Sequence, residues 1–137
     1  MPFEISYRQD GGVVAIFKGK VTGDEIIEVN KIFYATDQKT RDIKYQLVDF
    51  REVETFDVSS GDVQKISRQD TKAAEVNPSM LVAIVAAGNR AYGMSRMWQG
   101  YTAEISMTSK VFRTLAEAEQ WLKETTQSSI LDTTGGC

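Results

Sequence analysis

The sequence contains no histidine. That absence removes histidine acid–base catalysis, serine–histidine triads and every histidine-bearing zinc site. Carboxylate, lysine, serine or tyrosine chemistry remains open, but an enzyme lacks its usual proton carrier, and a non-enzymatic protein without cofactor or metal is expected. The single cysteine, Cys137, is the last residue. A disulfide within one chain is therefore impossible, and a reducing, cytoplasmic setting is expected. No apolar run approaches the roughly 20 residues of a membrane span. The opening "MPFEISYRQD" is strand-like and carries an early acid, unlike a signal peptide. Basic residues are scattered and the net charge is −3, so the clustered cationic surface needed for nucleic acid or a polybasic membrane anchor is missing.

What is present suits one soluble α/β domain. A chain of 137 residues can bury roughly two thirds of its unfolded surface. "FEISYRQ" alternates at Phe3, Ile5 and Tyr7, "DGG" supplies positive-φ turn residues, and "VVAIFKG" reads as the returning strand of an antiparallel pair. "TGDEIIEVNKIFYATDQK" changes to helical spacing, with Thr22 and Glu25 as a capping box and Ile26, Val29 and Phe33 on one stripe. A polar run, "ATDQKTRDIK", leads to the short strand "YQLVDF".

An acidic loop then precedes a helix over "SSGDVQKISRQDTKAAEV", whose thin apolar stripe is Val63, Ile66 and Ala73. "MLVAIVAA" is apolar on both alternations, as expected of a strand buried on both faces. "NRAYGMSRMWQGYTAE" follows as a helix with Asn89 at its N-cap, then the strand "SMTSKVFRT". "TLAEAEQWLKE" is the clearest helix, capped by Thr114 and Glu117, with Ala118, Trp121 and Leu122 inward. The order is ββαβαβαβα: about five strands, mostly parallel after the first antiparallel pair, flanked by about four helices. Residues 1–124 form the domain, and the tail 125–137 reads as frayed.

This order, together with "VDFREVETFDVSSG", resembles the STAS domain of bacterial anti-sigma-factor antagonists, whose mark is a strand ending in Asp, a loop, then Asp-Ser-Ser-Gly at a helix start. "LVAIVAA" before "YGMSRMWQ", with "VFRTLAEAEQWL" closing the chain, is similar to the SpoIIAA-like, or STAS/SEC14-like, group of small stand-alone proteins. The likeness spans roughly residues 3 to 124. It implies a regulatory module acting by protein contact or ligand sensing through residues 49–61 and 88–98. Counting from Asp49 to Asp57 places Val58 where the family's phosphorylated serine would stand, so Ser59 is the nearest acceptor.

Each candidate has two readings. Ser59 and Ser60 suit a phosphate-accepting or regulatory loop, or simply helix capping. Asp49 and Asp57 suit a carboxylate pair at the C-terminal edge of the sheet, or turn chemistry. Arg90 near a helix start can attract an anion. Met94, Met97, Trp98 and Tyr101 at helical spacing suit core, or a face for a partner or small apolar ligand, with Arg96 among them seeking an acid. A two-fold homodimer is expected, with the helix around Trp98 as its interface. The partner and any ligand are unnamed by the sequence.

Overall fold

The computed structural model describes the backbone of residues 3–135 and the side chains of residues 3–126. Strands β1 (Phe3–Tyr7) and β2 (Gly12–Thr22) form the antiparallel pair; α1 (Gly23–Phe33), α2 (Asp37–Asp42) and β3 (Tyr45–Asp57) follow. Then come α3 (Ser60–Val76), β4 (Leu81–Val85), α4 (Asn89–Tyr101), β5 (Thr108–Phe112) and α5 (Leu115–Gly135). The five strands lie in sequence order, and β2 to β5 are parallel. The expected α/β fold is present. Most of the expected frayed tail falls on residues whose side chains lie outside the described set.

Consecutive parallel strands advance in one direction, so right-handed crossovers place their helices on one face. The core follows that rule. Val13, Ala15, Phe17, Val82 and Ile84 pack with Val29 and Phe33 of α1, Val63 and Ile66 of α3, and Trp98 of α4. On the opposite face Val14, Leu47, Ala83, Val85 and Phe112 meet Ala118 and Leu122 of α5. Trp121 is only partly buried there, with its ring centroid 5.7 Å from that of Phe112. Arg8 at the hairpin ties α5 down, donating to both carboxylate oxygens of Glu119 at 2.8 and 3.1 Å.

Four expectations need correction. Helix α2 is additional; its only buried residue is Thr40, so no apolar stripe announces it. Segment 51–57 is not a loop, because β3 runs on to Asp57 beside the second half of β2. Two register shifts, opposite Ile16/Lys18 and Gly19/Lys20, bulge the long strand and break its period-2 pattern. Gly88, not Asn89, is the N-cap of α4. Thr22 stands at the N-cap of α1 without bonding a backbone N–H; its hydroxyl donates to Glu25 Oε1 at 3.0 Å.

Candidate functional site

Helix α3 is polar except for a stripe at Val63, Ile66, Ser67, Asp70, Ala73 and Ala74, all buried. The spacing turns one carboxylate, Asp70, into the core between α1 and α4. Burial of an unpaired charge is costly, so such a group requires donors. Asp70 has three. Asn30 Nδ2 and Tyr34 Oη donate to Oδ1 at 3.3 and 2.7 Å, and Trp98 Nε1 donates to Oδ2 at 2.8 Å. Burial pushes its pKa up to about 6 even though these hydrogen bonds pull the other way. Tyr34 is raised well above the ordinary phenol range, by burial first and then by the Asp70 charge; it stays a donor. Gln46 Nε2 donates in turn to Tyr34 Oη.

Beside this network lies an apolar cavity of about 60 Å³, walled by Val48, Phe50 and Ile84 of the sheet, Val63 and Ile66 of α3, and Met94 and Trp98 of α4. Asp70 and Ser95 also line it. Ser95 is 5 % exposed, yet its hydroxyl has no hydrogen-bond partner among the described residues. A carboxylate oxygen accepts about two hydrogen bonds, so Oδ2, with Trp98 alone, keeps one acceptor position. An apolar space edged by one free hydroxyl and one free acceptor position can orient a small molecule.

The sequence does not single out Asp70, although Val63, Ile66 and Ala73 read as a stripe. A charged residue in register with that stripe was the available signal. The residues that the sequence does single out fall elsewhere. Ser59 caps α3: its Oγ accepts from Asp62 N–H at 3.1 Å, while Asp62 Oδ2 accepts from Ser59 N–H at 3.0 Å. Ser59 and Ser60 are both exposed, whereas Val58 is buried.

Asp49 and Asp57 do not converge. Both belong to β3, the first buried and ion-paired with Arg51 at 2.9 Å, the second exposed at the strand's end. No group of three or more metal-ligating side chains is assembled among the described residues. The α4 stripe divides. Trp98 is buried and Met94 partly so, against the cavity, while Met97 and Tyr101 are 38 % and 47 % exposed and Arg96 is exposed. Trp98 is therefore not part of a partner face, because its indole is committed to Asp70.

Arg90 lies at a second, open groove of about 550 Å³ between residues 53–57 of β3 and residues 88–91 at the start of α4. Its Nε donates to the Phe56 carbonyl at 2.7 Å. Phe50 and Phe56 line both this groove and the apolar cavity, with ring centroids 5.1 Å apart in an edge-to-face pair. No helix among the described residues is long and apolar enough to cross a membrane. Comparison of the chain with protein-family models, curated proteins and solved structures finds no match.

Proposed function

We propose that this chain is a non-enzymatic, STAS-like cytoplasmic module that senses a small apolar molecule bearing one hydrogen-bonding group. The observation that carries the reading is the unpartnered Ser95 hydroxyl facing the apolar cavity. A hydroxyl without a partner among the described residues is free to donate to, or accept from, a ligand. At about 60 Å³ the space admits a small body rather than a lipid chain. The shared Phe50–Phe56 wall gives occupancy a physical route to the surface groove.

Native mass spectrometry of the purified chain tests this. A small retained mass, lost in Ile84→Phe where the added ring fills the cavity, is the expected result. An unliganded spectrum, together with no added mass when small alcohols and amides are supplied, would refute it.

A homodimer is the second reading, favoured by Met97 and Tyr101, exposed one turn apart on the outer face of α4. Two-fold assembly would make that patch self-complementary. Light scattering at micromolar concentration should give twice the chain mass, reverting to monomer in Met97→Glu; a monomer mass for the unmodified chain refutes it.

A further inference from the structure

Strand β3 outruns its neighbour. Its pairing with β4 ends at Asp49 opposite Val85, whereas its pairing with β2 continues to Asp57 opposite Thr22. From Phe50 to Asp57 no strand among the described residues lies on the side of β3 that β4 would occupy. The groove of about 550 Å³ lies along that side, closed at its other wall by the start of α4. An unpaired strand edge offers backbone donors and acceptors to any extended chain. Here one acceptor, the Phe56 carbonyl, is already met by a side chain, the Arg90 guanidinium at 2.7 Å. That bond takes the place of the backbone N–H an adjoining strand would present.

The rim of the groove has a sign. Glu54 and Asp57 line it and are exposed, and neither side chain has a hydrogen-bond or ion-pair partner among the described residues. Arg90, the cation in the groove, is turned onto the Phe56 carbonyl. The floor contains apolar Phe50 and Val53.

We infer that this notch binds an extended, basic peptide segment of another protein, added as a short strand beside residues 53–57. Five residues of strand span about 16 Å, enough to pair along that segment. Charge sets its pattern: lysine or arginine toward Glu54 and Asp57, and an apolar residue over Val53. This inference rests on the β3 edge and not on the ligand reading of the cavity.

The test uses a fluorescein-labelled Lys-Val-Lys-Val-Lys peptide, the same peptide N-methylated at alternate residues, and a Glu-Val-Glu-Val-Glu control, each titrated into the full chain by fluorescence polarisation. The basic peptide should bind, with amide shifts in nuclear magnetic resonance spectra confined to residues 53–57 and 88–91. N-methylation, which removes backbone donors while keeping the charge, should weaken it at least tenfold. The double variant Glu54→Lys/Asp57→Lys, at exposed positions, should also weaken it at least tenfold and admit the acidic control. Equal binding of the methylated peptide would overturn strand addition, and so would absence of binding or shifts elsewhere. A concentration-dependent dimer abolished by the charge reversal would assign the notch to a second copy and overturn the peptide inference.

Discussion

Replacing Asp70 by asparagine removes the charge from the core while preserving shape, and its effect on stability should depend on pH. The carboxyl pKa rises from 3.8 to about 6 in the folded protein. A shift of about two units corresponds to about 3 kcal/mol of differential interaction. The folded state holds this proton more tightly than the unfolded chain, so the contribution is fully present below pH 3.8 and is lost as pH rises through about 6. Between pH 4.5 and 7.5 the loss is about 2 kcal/mol. Asp70→Asn has no such term.

The variant carries its own penalty. With the amide oxygen placed to accept from Asn30 and Tyr34, the amide N–H₂ faces the Trp98 N–H. Two donors in opposition cost about 1–3 kcal/mol. The variant should therefore be clearly less stable than the parent at pH 4.5 and close to it, or above it, at pH 7.5. Urea unfolding followed by circular dichroism across that range reads the difference directly. Parallel stability profiles for the two proteins would refute the account of Asp70 as a dry, buried carboxylate.

Ser59→Ala should cost about 1 kcal/mol through loss of the α3 cap, and Ser59→Asp should be nearly neutral; equal stability of the alanine variant in urea would show that the cap is idle. Gly12→Ala should destabilise by about 1–3 kcal/mol as overpacking, since a Cβ there would lie 2.0 Å from the Tyr45 ring, and an unchanged melting temperature would contradict that packing. Trp121→Ala should cost about 2–3 kcal/mol, below the roughly 3–5 of a fully buried aromatic, because the indole is only partly covered; a loss above that range in thermal unfolding would place it in the core.

Much of the fold was legible wherever hydrophobic spacing is regular. The alternation of Phe3, Ile5 and Tyr7, the doubly apolar 81–85 run and the Ala118/Leu122 stripe each led to the element observed. Legibility failed where periodicity is interrupted. Bulges separate Phe50, Val53 and Phe56 by three residues instead of two, so a bent strand read as a loop. Helix α2 is polar on nearly every side and is held by the Thr36 cap and the Asn77 side chain, which donates to the Thr40 and Ile43 carbonyls. Local signals also misplace long-range partners. Trp98 and Asp70 are 28 positions apart, and nothing local distinguishes an indole facing a carboxylate from one facing a partner. Asp70 itself was readable, since it occupies a buried position of a stripe already recognised, but its donors come from α1 and α4 and required the packing.

The proposed function requires that the cavity beneath α4 accept a small apolar molecule with one hydrogen-bonding group. Amide and methyl nuclear magnetic resonance spectra of the intact chain, titrated with cyclopentanol, test it most directly. Saturable shifts at Ile66, Ile84, Met94 and Ser95, reduced in Ser95→Ala and absent in Ile84→Phe, are the expected result. Shifts that fail to saturate, or that lie only on surface residues, would contradict it.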